Sequence, residues 1–364
     1  MKIRMFCASV IALICVACGG GSSSSSSDVA NPVGQDPAST PTRYSGPGSR
    51  WDVVLNPDSS FTIERRESMT APVSLTVNGV YSEQANGFMS LVVSDATGDG
   101  APSAGAEAWG IEIPGFAYFL KPAGSSSEFI SMVMAGECPT NDFVGNWIIM
   151  KSRDDADATD ADQEFFGVFS YDIETGQASL PAQHALVDGF PGGVNVDLDQ
   201  GVCAEGMMQV DDAEMYLTRS GGALVHTNVD SDSESSIIFA MPQATLPAIS
   251  DLDNEYAGLI FGSAGDTIQP VVVACAAGLC TADVLDDVEL GTSIDQLQIN
   301  LVGTLDFPDP GVITGTIERG GLQGNLACMA NTSLAANAPV MLTCVAQDPD
   351  NPSERINVIL RGRV

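Results

Sequence analysis

Past about Tyr44 the apolar residues of this chain fall in short alternating runs. Trp51-Asp-Val-Val-Leu55, Phe61-Thr-Ile-Glu64, Ser74-Leu-Thr-Val77 and Phe88-Met-Ser-Leu-Val-Val93 set the pattern early. A period of two, bounded by Gly, Pro, Asn, Asp and Ser, predicts β-strands of four to eight residues, because successive side chains of a strand point to opposite faces. No apolar pattern of period 3.6 lasts three turns, so helix is expected to be scarce.

The run of strands is too long for one ordinary domain, and it repeats. Tyr44-Ser-Gly46, Phe143-Val-Gly-Asn-Trp147 and Tyr256-Ala-Gly258 each place an aromatic two residues before a glycine at a strand start. The unit ends also agree. Tyr118-Phe-Leu-Lys121 precedes Phe129-Ile-Ser-Met-Val-Met134, Tyr216-Leu-Thr-Arg219 precedes Ile237-Ile-Phe-Ala-Met241, and Met341-Leu-Thr-Cys344 precedes Ile356-Asn-Val-Ile-Leu360. Each pair reads as a closing hairpin. The expected fold is therefore all-β, with tandem antiparallel β-meander domains at 44–137, 138–248 and 249–364. Each would be a small barrel or sandwich of seven or eight strands. Gly145-Asn-Trp147 resembles the Gly-x-Trp opening of lipocalins, which would imply a barrel; Trp147 is expected to be a core aromatic.

The first residues differ in kind. Lys2 and Arg4 precede an apolar run from Phe6 to Val16, of signal-peptide length and too short to span a bilayer. Cys15-Val-Ala-Cys18 resembles the lipobox of bacterial lipoproteins, although that family usually has Leu where Cys15 stands. The resemblance implies a signal peptide over 1–17, cleavage after Ala17, and acylation of Cys18 as the mature N-terminus. Gly19 in place of Asp implies delivery to the outer membrane. The alternative is an ordinary secretory leader cut near Ala17. Residues 18–43 are then a tether of Gly, Ser, Pro, Asn, Asp and Thr with almost nothing apolar to bury. As a random coil it would hold the folded part roughly 25 to 30 Å from the lipid.

Charge narrows the partners. The chain has 47 acidic and 14 basic residues, and Lys2 and Arg4 leave with the leader. So acidic a surface repels nucleic acid and anionic lipid headgroups, and leaves the N-terminal lipid as the contact with a membrane. Setting aside Cys7, Cys15 and Cys18, six cysteines remain: Cys138, Cys203, Cys275, Cys280, Cys328 and Cys344. An even number in an exported chain reads as disulfides. Six allow fifteen connectivities, of which proximity favours Cys275 with Cys280 and Cys328 with Cys344, leaving Cys138 with Cys203. Zinc is the rival, disfavoured because no histidine lies near any pair.

Candidates for chemistry are few. Asp95-Ala-Thr-Gly-Asp99-Gly100 resembles the Asp- and Gly-rich loops that wrap Ca2+, with Asp95 and Asp99 as ligands and Glu107 as a distant closer. Asp154 to Asp162 and Asp230 to Glu234 are denser in carboxylate and read as solvated hairpin connections that calcium could order. Only His184 and His226 are present, and neither Gly-x-Ser-x-Gly nor His-Glu-x-x-His occurs. The expectation is a lipid-anchored, non-enzymatic envelope protein that binds a partner or is structural. The alternatives are a lipocalin-like carrier of a small apolar molecule and a calcium-dependent adhesion or glycan-binding protein.

Overall fold

The structure, a computed structural model, describes residues 42–363 apart from 47–49, 69–70, 85–86, 123–129, 135–136, 152–163, 194, 211–212, 220, 228–235, 247, 263–267, 287–291, 332–339 and 353. Twenty-four strands follow in three groups of eight. The first group runs β1 (Thr42–Gly46), β2 (Trp51–Leu55), β3 (Ser60–Arg66), β4 (Val73–Glu83), β5 (Met89–Gly98), β6 (Glu107–Ile113), β7 (Ala117–Lys121) and β8 (Ile130–Val133). The second is β9 (Phe143–Lys151), β10 (Glu164–Asp172), β11 (Gln177–Ala185), β12 (Val196–Gln200), β13 (Met207–Val210), β14 (Ala213–Leu217), β15 (Ala223–Thr227) and β16 (Ser236–Pro242). The third is β17 (Glu255–Gly262), β18 (Ile268–Ala276), β19 (Leu279–Leu285), β20 (Ser293–Leu305), β21 (Val312–Arg319), β22 (Leu322–Asn331), β23 (Met341–Gln347) and β24 (Arg355–Gly362). The only helical element among the described residues is a 3₁₀ turn, Ile249–Leu252.

The protein is thus all-β, built of tandem antiparallel meanders. Every strand pairs with at least one sequence neighbour of its own unit, and the units differ in how the ring closes. In the third unit β17 pairs with β24 from Tyr256↔Gly362 to Gly262↔Ile356, which makes a closed barrel. The first unit closes through one rung, Ser45↔Val133. The second joins its first and last strands, β9 and β16, but leaves β12 and β13 unpaired with each other, so it is an open sheet. The sequence predicts a small barrel or sandwich for each unit; the first and third are closed barrels and the second is not. The gap lies between two short strands: β12 and β13 have five and four residues against eleven and ten for β4 and β5. Short strands offer few ladder hydrogen bonds across a seam.

Two further expectations need correction. Thr42 and Arg43 belong to β1, where Thr42 pairs with Leu55, rather than to the tether. In the second unit Tyr216 and Ile237 are not a hairpin, because β15 stands between them. Gly222 donates its N–H to the Thr218 hydroxyl in the tight turn that starts this extra strand. The run Ala-Leu-Val-His-Thr is apolar on both faces, so it lacks the alternation that marks a strand exposed on one side.

Each unit has its own interior. Val53, Phe61 and Leu91 belong to the first, Trp147, Phe169 and Leu180 to the second, and Val271, Leu297 and Leu326 to the third. Trp147 is buried there and donates Nε1–H to the Ala182 carbonyl. A fourth core lies outside all three interiors and is shared among them. It brings Phe119 and Ile111 of the first unit against Phe239 and Ile148 of the second and Leu259 and Ile359 of the third. Strands facing this shared core are buried on both sides: β24 is buried along its whole length. On β20, which faces solvent, only every second residue of the central stretch is buried. The contact between the first two units is close. A Cβ on Gly222 would collide with the buried Phe116 ring, so only glycine fits there.

The three meanders also stand with matching ends together. Call the entry face the end at which β1, β9 and β17 begin. At the opposite, far face Arg50 of the first unit meets Glu214 of the second, Lys121 of the first donates to the Ile268 carbonyl of the third, and Arg355 of the third lies over the Phe165 ring of the second. At the entry face Arg361 of the third meets Glu83 of the first, and Asn146 of the second donates to the Pro310 carbonyl of the third.

Candidate functional site

Most of the buried charged and titratable side chains stand where units meet. On β24 the side chains that face away from its barrel are Arg355, Asn357, Ile359 and Arg361, all buried. Arg355 stacks on Phe165 with 4.2 Å from guanidinium carbon to ring centroid, Asn357 donates to the Met150 carbonyl at 3.5 Å, and Arg361 holds Glu83 at 3.0 Å. A guanidinium on an aromatic face keeps its charge while its stem packs as hydrocarbon, which is why arginine suits such a row.

Between the first and second units Arg50 Nε donates to Glu214 Oε1 at 2.7 Å, and Tyr216 Oη donates to Glu214 Oε2 at 3.2 Å. Glu214 has no exposed surface, and His226, also buried, stands directly opposite it on β15. Arg50 takes a positive φ of 56°, a costly backbone for arginine, and that conformation delivers its side chain to Glu214. Burial and the adjacent Glu214 carboxylate push the Tyr216 phenol well above its ordinary range.

Between the second and third units His184 Nε2 lies 3.0 Å from Asp309 Oδ2. Phe166 and Phe307 pack on the imidazole, with centroids 5.2 Å away, and Phe190 closes against both phenylalanines. The 306–311 connection leaves the third barrel at its entry face and reaches along the second unit to make this contact. His184 Nδ1 is buried without a hydrogen-bond partner. The arrangement is an acid–imidazole pair sealed by phenyl rings. Both histidines are buried strand residues at unit junctions.

Inside the first barrel Tyr44 Oη donates to Glu112 Oε1 at 2.6 Å. Burial raises the Glu112 carboxyl above its usual range, opposed by the Tyr44 hydrogen bond and by Arg361. Burial and Glu112 together push Tyr44 far up.

The residues singled out for calcium are placed differently from a binding loop. Asp95 lies within β5, opposite Asn78, and Asp99 follows the end of that strand, its carbonyl accepting from Arg65. A laddered strand points successive side chains apart, so this run does not wrap an ion as a loop does. Among the described residues no three His, Cys, Asp or Glu side chains converge. The carboxylate runs at 154–162 and 230–234, and Cys18 with the leader and most of the tether, lie outside the described residues. The six cysteines form three bridges, Cys138–Cys203, Cys275–Cys280 and Cys328–Cys344. The last two join residues directly opposite each other on paired strands. The first ties the 201–206 connection, at the open seam, to the segment preceding β9.

Sequence reasoning missed this seam. The isolated signals were the low apolar content of Val196-Asp-Leu-Asp-Gln200 and the fully exposed setting implied for Val202, which is 89% exposed.

No protein-family model matches the chain, and no curated protein matches it. Among solved structures, isotype 1 transferrin binding protein B (TbpB) from serogroup B Neisseria meningitidis overlaps 87% of this chain and 66% of its own, at 9% identity and a TM-score of 0.29. A Trp-176-Ala mutant of the vaccine antigen TbpB from Haemophilus parasuis overlaps 88% and 66%, at 9% identity and 0.27. HpuA from Kingella denitrificans, in complex with human haemoglobin, overlaps 91% and 89%, at 10% identity and 0.22. The chain spans just under two thirds of the length of the two TbpB structures.

Proposed function

We propose that this chain is an outer-membrane lipoprotein, anchored through Cys18, that works without catalysis as a module binding a protein partner through its far face. One observation carries the reading. β1 begins at Thr42 on the entry face, while the acid-rich connections join strands at the opposite end. Those connections are 152–163 with five aspartates, 228–235 with Asp230, Asp232 and Glu234, 286–292 with Asp286, Asp287 and Glu289, and 348–354 with Asp348, Asp350 and Glu354. The partner suited to such a face carries a basic surface, and long-range attraction would speed the encounter.

The interiors of both closed barrels are packed with their own side chains, which weighs against a carrier of a small apolar molecule. Most of the buried charged groups are held in ion pairs, hydrogen bonds and ring contacts between units, a use that ties the units together rather than presenting a reactive group.

The test places photo-crosslinking residues on intact cells at Asp99, Thr292 or Asp350 on the far face and at Asp58, Ile173 or Ala277 on the entry face. The expected result is protein adducts from the far-face positions only. Adducts from the entry face alone would reverse the orientation. Anchoring is tested separately: Cys18→Ala moves the protein from the membrane pellet to the soluble fraction, and a variant that still pellets overturns the lipid anchor.

A further inference from the structure

The second unit has the same strand order as its neighbours, yet it stays open between its fourth and fifth strands. The connections at that place, 84–88, 201–206 and 306–311, are of similar length, so the chain is long enough to close all three. At the open seam the two edges are not equivalent. On the β13 side the connection folds back: Met207 N–H donates to the Ala204 carbonyl and Ala204 N–H to the Met207 carbonyl. The β12 side has no such cover. Its pairing runs to β11 alone, through Leu180↔Val196, Ser179↔Asp197 and Gln177↔Gln200.

The side chains at this edge carry a pattern. Val196 and Leu198 face the interior of the sheet. Leu198 packs on the core, but Val196 remains 39% exposed at the mouth of the seam. Asp197 points outward and is exposed, steadied by Asn195, which donates to its carboxylate at 3.2 Å. Val202 protrudes from the connection beside them. Edges that only need protection are usually shortened and given charge. This one is short and acidic, but it also leaves two valines in solvent, which protection does not require. The Cys138–Cys203 bridge ties the connection to the segment before β9, and so holds β13 from sliding across to satisfy β12.

We propose that β12 is a docking edge to which an extended, basic segment of a protein partner adds as a ninth strand, with alternating apolar and cationic side chains. Backbone hydrogen bonds to β12 would give affinity. Alternate apolar side chains would cover Val196 and Leu198, and a cationic one would face Asp197. Charge complementarity selects this occupant: an acidic strand in a chain of net charge −33 repels a second copy of itself or an acidic peptide. The inference rests on the reading of this chain as a protein-binding module, and names one site of that module.

The test uses the full chain and an acetylated, amidated peptide of about seven residues alternating Lys and Val, followed by amide hydrogen exchange. Binding is expected to slow exchange within 196–200, and a Glu/Val peptide of the same length is expected not to bind. Two further peptides carry backbone N-methyl groups at alternate positions, one set on each edge. Strand addition predicts that one of the two loses binding about tenfold or more while the other keeps it, because only one edge donates to β12. Asp197→Lys is expected to weaken the Lys/Val peptide at least several-fold while leaving the circular dichroism spectrum unchanged. The proposal is overturned by protection that appears elsewhere than β12, by equal binding of both N-methylated peptides, or by a concentration-dependent dimer that Asp197→Lys dissolves. The experiment needs neither membrane nor cell. A failed cell crosslinking with a positive peptide result would therefore reject the far-face partner and keep the docking edge.

Discussion

The second and third units are built from the same meander, and their difference shows where the stability of each comes from. The third is a barrel whose ladder runs through every neighbouring pair, including β17 with β24, and two of its rungs are also disulfides. The second lacks one ladder and has its single bridge beside the gap. It compensates from outside: β9 and β16 turn Ile148, Met150, Phe239 and Met241 into the core shared with the other units. A closed sheet satisfies its own backbone edges, whereas an open one depends on what packs on its faces.

The strongest way to break this comparison is to remove a group that the open unit shares with a neighbour. Glu214→Ala strips Arg50 of its partner in a buried junction and is expected to cost about 3 to 5 kcal/mol. Phe239→Ala, which removes a ring touching both Phe116 and Phe119, is expected to cost about as much. Urea denaturation of each variant, with loss of the first transition as the readout, checks both. An effect below about 1 kcal/mol in either would mean that the second unit stands by itself.

The bridges sharpen the contrast. By loop-closure entropy, Cys138–Cys203, with a sequence separation of 65, stabilises by about 4 kcal/mol, and Cys275–Cys280, with a separation of 5, by about 2 kcal/mol. The second figure shrinks further because its cysteines already face each other across an intact ladder. The double Cys→Ser variants, compared by thermal melting, should therefore differ clearly, with the 138–203 pair the more damaging. Equal losses would contradict the view that the seam needs its clasp.

A smaller effect belongs to the first barrel. Folding raises the Glu112 carboxyl, so the native state holds its proton to higher pH than the unfolded chain does. That group's contribution is most favourable below its ordinary value of 4.5 and is lost as pH rises through the raised folded value. Glu112→Gln keeps an acceptor for Tyr44 and should flatten the fall in stability over that window, measured as denaturation midpoint against pH. An unchanged slope would remove Glu112 from the account. The smallest effect is expected on the solvent side of the closed third barrel, where Val302→Ser should move stability by less than about 0.5 kcal/mol.

Much of the architecture was legible in the chain. Alternation in Trp51-Asp-Val-Val-Leu55 and Phe61-Thr-Ile-Glu64 marks β2 and β3, since each of those strands has one face in a core and one nearer solvent. The aromatic-x-Gly starts at Tyr44, Phe143 and Tyr256 fall on β1, β9 and β17. Legibility failed where strands are covered on both sides. β24 offered no sign of which residues faced inward, because Arg355, Asn357 and Arg361 read as surface groups. The polar junctions were invisible for the same reason. Arg50 and Glu214 are 164 residues apart, and His184 and Asp309 are 125 apart, with nothing local to pair them.

By itself, the amino-acid sequence determined strand content, the division into three meanders and the acidity. Those follow from local matters: period, turn residues, composition. Tertiary structure decided which ladders close, which outward faces are buried between units, and which charged groups lie together in that interface. Such outcomes depend on strand lengths and contacts across more than a hundred residues, and a side chain's partners there are chosen by packing rather than by its neighbours in the chain.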